Sequence, residues 1–172
     1  MKIFVAFGFE SFPFDRLVRA IERGVEEKVI EGEVVIQNGD SRAPRIPCRH
    51  CRFMKFDEVL ARMREADIVV GHAGVGTAFL CLDMGKVPVL FPRLARFGEH
   101  VDDHQVRFAR KLAAQGKALT AESEKDLLYL IGHYSEIVDG NPGSRPEAGG
   151  PALRDYLEAV LGKPGKEGGT PG

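Results

Sequence analysis

Short unbroken apolar runs alternate along this chain with segments whose apolar residues recur every third or fourth position. Ile3 to Phe7 closes at Gly8, and Val34-Val35-Ile36 runs into Gln37-Asn38-Gly39-Asp40-Ser41. Ile68-Val69-Val70 leads to Gly71, and Val87 to Phe91 ends at Pro92-Arg93. Such runs read as strands buried on both faces, the pattern of a parallel sheet. Between them, Leu17, Ile21 and Val25 form the stripe of a helix with Pro13 at its first position. Arg16, Arg19, Glu22 and Arg23 fall mostly off that stripe. Asp57 is placed to cap a short helix carrying Val59, Leu60 and Met63, and a further helix runs from the loop at 72–77 to about Met84. Gly85 is suited to end it in a left-handed conformation. Val106, Ala109, Leu112 and Ala113 mark another helix, ending near Gly116. Lys117 to Leu119 makes a short last strand, and Ser123 with Asp126 forms a capping box that opens a helix over 124–132.

Two stretches resist the alternation. RAPRIPCRHCRF (42–53) holds two prolines that argue against a regular element, and residues 92–105 form a long loop of the kind that usually carries function. The pattern divides the chain into a domain over 1–138, a linker over 139–150, a terminal helix over 151–161 and a disordered tail over 162–172. Strand–helix alternation implies an α/β fold: a Rossmann-like parallel sheet with helices on both faces. Right-handed crossovers then bring Gly8, Gly39, His72 and Arg93 to the carboxyl edge of the sheet, where open α/β sheets bind ligands.

Composition narrows the function without naming it. With 172 residues and 44% hydrophobic content, one domain with a full core is expected. A formal net charge of −1 gives no long-range attraction to nucleic acid. No apolar run approaches the roughly 20 residues that span a bilayer, and MKIFVAFGF reads as a first strand instead of a signal peptide. Three cysteines give no disulfide framework, which fits a reducing, cytoplasmic compartment.

The chemistry concentrates in His72-Ala73-Gly74-Val75-Gly76-Thr77, between a strand and a helix. Two readings stand side by side. Glycines there let a backbone approach an anion at the helix N-terminus, with Thr77 adding a hydroxyl. Equally, they serve a tight turn with close packing. The loop is not a Walker A motif and lacks the third glycine of the dinucleotide fingerprint. His72 is either a base or a histidine that orders the loop through backbone hydrogen bonds. Cys48 and Cys51 form one C-x-x-C pair with no second pair to complete a zinc site, and the loop is not placed for thioredoxin-like redox chemistry. Arg42, Arg45, Arg49 and Arg52 make the same loop basic, for a diphosphate, an acidic partner or simple solvation.

Beyond single motifs, FVAFGFESFPFDRLVRA, VVIQNGDS, ADIVVGHAGVGT, MGKVP and DDHQVRFARKL occur in an order and at separations that resemble the C-terminal domain of family 28 glycosyltransferases. The likeness covers Met1 to about Gly116. It is strongest to one-domain versions, such as PssE-like exopolysaccharide subunits and the small subunit of the split N-acetylglucosamine transferase. The resemblance implies one half of a GT-B fold that binds a nucleoside diphosphate sugar, with a UDP-sugar as the expected donor. It places Gly8, Gly74, Gly76 and Thr77 around the diphosphate, with His72 in the same loop. Residues Phe53 to Phe56 lie at the base, and His104 and Gln105 at the sugar hydroxyls. The catalytic base is expected on a membrane-associated acceptor subunit, so none is assigned here, and transfer at the inner membrane face follows from that partnership. Neither a metal nor a cofactor is required. One position departs from the family: Leu80 stands where a glutamate grips the ribose, and Asp83, three residues on, is the nearest substitute carboxylate. That departure leaves a non-catalytic nucleotide-binding module as the alternative reading, with a metal or thiol protein built on Cys48 and Cys51 as a further one.

Overall fold

β1 (Lys2–Ala6) lies near the middle of a six-stranded sheet, and both of its faces are covered. The computed structural model describes residues 1–140. The expected helix at 151–161, the tail and nearly all of the expected linker therefore lie outside the described residues. The strands β2 (Glu33–Gln37), β3 (Arg49–Cys51), β4 (Ile68–Gly71), β5 (Val89–Leu90) and β6 (Leu119–Thr120) complete the sheet in the order β3-β2-β1-β4-β5-β6. All pairings are parallel, with Phe4 opposite Val35 on one side and Val69 on the other.

Strand alternation divides the core. Ile3 and Val5 point to the face covered by α1 (Asp15–Glu26) and α5 (Glu124–Gly132), packing with Leu17, Ile21 and Leu127. Phe4 and Ala6 point to the other face, with Met63 of α2 (Phe56–Glu65) and Cys81 of α3 (Val75–Asp83). On that same side Phe79 and Leu82 of α3 meet Phe108 of α4 (His104–Ala114). The apolar runs were thus unbroken because each strand feeds two cores. Among the described residues, no helix is long and apolar enough to cross a membrane.

Most expected elements are present, with shifts that have local causes. Pro13 does not open α1: Phe14 occupies the cap position, fully buried, with its N–H donated to Ser41 Oγ at 2.7 Å. Asp57 is not the cap of α2 either. Lys55 is, and its backbone N–H is taken by Glu58 Oε2 at 3.0 Å, which leaves Asp57 in the first turn. The proline-containing stretch yields β3 after all, because Pro44 and Pro47 precede the paired residues and the strand lies at an edge where only one side needs donors. β5 is shorter than Val87–Phe91 and β6 starts two residues later than expected. A one-turn 3₁₀ helix (Ala95–Phe97) interrupts the long loop, and α6 (Tyr134–Asp139) follows α5 without a signal in the apolar pattern. Gly85 ends α3 with φ of 71°, and Ser123 accepts the N–H of Asp126 as a capping box.

Candidate functional site

β1 and β4 are neighbours, yet the chain leaves β1 toward β2 and β3 on one side and resumes with β4, β5 and β6 on the other. The carboxyl ends of β1 and β4 therefore flank the point where the winding reverses, the crevice in which open α/β sheets hold ligands. Gly8 follows β1 and the 72–77 loop follows β4, so both expected loops meet there. The turn after β2 joins them: Gln37 Nε2 donates to Gly8 O at 2.8 Å, and a Cβ on Gly39 would lie 3.6 Å from that same oxygen.

His72 organises this crevice. Its ring is 5% exposed, and Nδ1 lies 3.3 Å from Ala6 O. A Cβ on Gly8 would come within 2.6 Å of the ring, and one on Gly74 within 2.3 Å of Nε2. Both glycines are therefore required by the imidazole itself. Burial, reinforced by the positive charge of Arg93, lowers the His72 pKa to about 4, so the ring is neutral near pH 7. The neighbouring Ala73 sits at φ of 60°, a left-handed conformation uncommon for a residue with a Cβ, immediately before the helix.

Gly74 caps α3 with no side-chain cap hydrogen bond, so the helix presents first-turn N–H groups that lack intrahelical acceptors. Gly76 is exposed in that turn, and a Cβ there would meet nothing within 4 Å. Thr77 is half-buried beside it, its methyl toward Gly71. The two glycines of the loop are thus of different kinds: Gly74 makes room for protein and Gly76 faces open space.

A second tier of loops closes over this edge through two buried arginines that periodicity did not single out. Arg93, 1% exposed, donates to Phe12 O (2.6 Å), Phe7 O (2.9 Å) and Glu99 O (3.3 Å), and its guanidinium carbon lies 4.7 Å from the centre of the Phe14 ring. Its Nε is buried without a hydrogen-bond partner, and Glu10 Oε2 is 4.0 Å away. Burial lowers the Arg93 pKa while Glu10 and Glu99 oppose that shift. Arg16, assigned by pattern to the polar side of α1, is buried instead. It grips Glu99 with two bonds of 3.0 and 2.8 Å, donates to Pro92 O and lies over the Phe91 ring at 4.0 Å. The absence of a nearby sequence partner hid this pair: Glu99 is 83 residues away.

The remaining expected residues divide. Gln105 is fully buried, its Oε1 accepting the Arg93 N–H at 3.1 Å, which ties α4 to the loop after β5. His104 is exposed at the start of α4, with Nδ1 2.6 Å from Asp102 Oδ1. The backbone N–H and imidazole of His104 hold the Asp102 carboxyl below its ordinary pKa. Phe53 stacks on Phe9 at 6.1 Å, and Arg52 O accepts from Gly39 N, which sets the 53–56 stretch beside Gly8 with Phe56 exposed. Asp83 is the exposed last residue of α3, about one turn beyond Leu80 and about 12 Å along the axis from Val75. Leu80 is half-buried against the core cluster that includes Met63 and Cys81. Cys48 and Cys51 are half-buried on the far edge, and burial pushes both thiols up, away from thiolate reactivity.

The model of the glycosyltransferase family 28 C-terminal domain matches residues 2–133. No match is found among curated proteins. Among solved structures, MurG from Acinetobacter baumannii superposes with a TM-score of 0.61 at 18% identity, covering 94% of this chain and 50% of that one. The glycotransferase of kitacinnamycin gives 0.60 at 19%, covering 92% and 42%. UDP-GlcNAc 2-epimerase from Neisseria meningitidis bound to UDP-GlcNAc gives 0.59 at 10%, covering 94% and 45%. The chain thus spans half or less of the length of these neighbours, and at these identities the likeness is one of fold.

Proposed function

The chain belongs to the glycosyltransferase family 28 C-terminal domain family, and we propose that it binds a nucleoside diphosphate sugar, with UDP as the expected nucleotide, as the donor half of a two-part glycosyltransferase. The observation that carries this reading is the uncapped N-terminus of α3, with Gly76 open to solvent, at the point of the sheet where the winding reverses. A diphosphate fits there: first-turn N–H groups donate to its oxygens and the helix dipole favours its charge. Gly8, Gly74 and His72 form the wall behind it, Thr77 adds a hydroxyl, and His104 lies on the sugar side, with the buried Gln105 fixing the start of its helix to Arg93. Phe53 to Phe56 border the base.

As the glycosidic bond breaks, charge develops on the departing diphosphate, and donors already aimed at it stabilise the transition state without reorganisation. The acceptor, lipid-linked or glycan, and the base come from a second subunit with membrane association, as in exopolysaccharide assembly. Leu80 is the observation that favours the second reading, a nucleotide-binding module without transfer. Its side chain packs against the core and carries no polar atom, so it offers no acceptor to the ribose, a loss of a few kcal/mol relative to a glutamate.

Calorimetry with UDP-sugars tests the placement. Gly76→Val is expected to abolish binding with an unchanged melting temperature, because the branched side chain fills the phosphate position. Unaltered affinity in that variant overturns it. Co-expression with the product of an adjacent gene and labelled donors separates the two readings: nucleotide binding without transfer from any donor supports the module.

A further inference from the structure

His100-Val101-Asp102-Asp103-His104 contains a His-x-Asp-x-His spacing of which only His104 has a place in the donor reading. In the structure the ligand-type atoms of His100, Asp102 and His104 all lie within 4.8 Å of one another. Asp102 Oδ1 is 2.6 Å from His104 Nδ1 and 3.6 Å from His100 Nδ1, so both imidazoles turn the same nitrogen toward one carboxylate. We infer that these three residues bind one divalent transition-metal cation of the zinc class through two imidazole nitrogens and a carboxylate oxygen.

Four observations support this. The first is the donor set, since nitrogen and carboxylate ligands at about 2.0–2.2 Å suit zinc, and three of them leave a fourth position for water or a ligand oxygen. The second is the outer contact of His100: Glu10 Oε2 lies 3.1 Å from its Nε2. Glu10 Oε2 is buried without a hydrogen-bond partner, and a carboxylate so close to the far nitrogen favours the tautomer that leaves Nδ1 unprotonated, the arrangement that supports metal-bound histidines. The Asp102 N–H, directed at His100 Nδ1 from 3.4 Å, agrees with that tautomer.

Third, the His100 side chain is only 11% exposed, whereas Asp102 and His104 are about half exposed, which gives the cluster one fixed ligand and two that have room to close on an ion. Fourth, the carboxylates of Glu10, Asp102 and Asp103 offset the positive end of α4. Helix capping accounts for the bond from His104 N to Asp102 Oδ1 at 2.9 Å, but not for the inward turn of His100 or its Glu10 contact.

The test is independent of donor binding. Metal-stripped, tag-free full-length protein is titrated with Co²⁺, the visible ligand-field bands are recorded, and Zn²⁺ is then added. One equivalent of Co²⁺, displaced by Zn²⁺ and lacking a thiolate charge-transfer band, is the expected result. It persists in Cys48→Ser/Cys51→Ser, falls 10- to 100-fold in affinity in Glu10→Gln, and is lost in His104→Ala, an exposed position where folding is verified by thermal melting. Absence of one-equivalent binding, or binding undiminished in both His104→Ala and His100→Ala/His104→Ala, overturns the inference.

Discussion

Replacing Gly74 by alanine isolates the reason for that glycine. Its backbone (φ −73°, ψ 136°) is one alanine adopts without strain. With empty space at the Cβ, the change would stabilise the protein by about 0.4–1 kcal/mol through the unfolded chain. The added carbon instead falls 2.3 Å from His72 Nε2 and 2.6 Å from Cε1. An ordinary contact is more than 1 Å longer, and the ring is buried, anchored at Ala6 O and closely approached by Gly8. Overpacking of this kind costs about 1–3 kcal/mol. Gly74→Ala is therefore expected to lower the urea midpoint at pH 7 by an amount equal to about 2 kcal/mol. The decisive measurement is a double-mutant cycle with His72→Ala. Once the ring is gone, the added methyl meets no imidazole, so the two changes should couple by about 1–3 kcal/mol. A Gly74→Ala protein as stable as the parent, or additivity within about 0.5 kcal/mol, refutes the idea that this glycine exists for the histidine.

Three other outcomes follow from the same geometry. His72 has a folded pKa near 4 against about 6.5 when unfolded, so the unfolded chain binds the extra proton between those values. Stability should fall as pH drops from about 6.5 to 4, by at most about 3 kcal/mol, and His72→Gln should flatten that part of a urea-midpoint profile. Glu99→Ala leaves Arg16 buried beneath Pro92 without its partner and should cost about 3–5 kcal/mol by denaturant unfolding; a cost under 1 kcal/mol would mean water reaches the arginine. Ser123→Ala removes the cap of α5 and should lower stability by about 1 kcal/mol, read as a small drop in melting temperature.

The sheet was legible because its central strands feed two cores, and runs such as Ile3 to Phe7 cannot be anything half-exposed. The converging loops followed from topology alone, since strand ends in a parallel sheet share one edge. Side-chain commitments were less legible. Gly8 and Gly74 read as clearance for a ligand because a sequence does not state which neighbour fills the space, and here the His72 ring does so. Arg16 and Arg93 were invisible as buried groups because their partners are backbone oxygens and a glutamate far along the chain. Asp83 was read as a substitute carboxylate from its place three residues after Leu80, and the helix sets it about one turn further along α3. α6 escaped notice because Val138 is its sole fully buried side chain, too little for a period.

The outermost strands of the sheet are short, as is the inner strand β5 beside β6. β3 has three residues, with Arg49 and His50 exposed, and β6 has two. Neither margin offers a ladder long enough to template another chain's strand. Among the described residues, the sheet therefore gives a second chain little edge to extend, whether in aggregation or in assembly. Exposed apolar side chains gather instead on loops and helix starts, at Phe9, Phe53, Phe56, Val75 and Val101. A protein that docked on those side chains would share the rim of the candidate donor site, so its binding and the donor's would be linked.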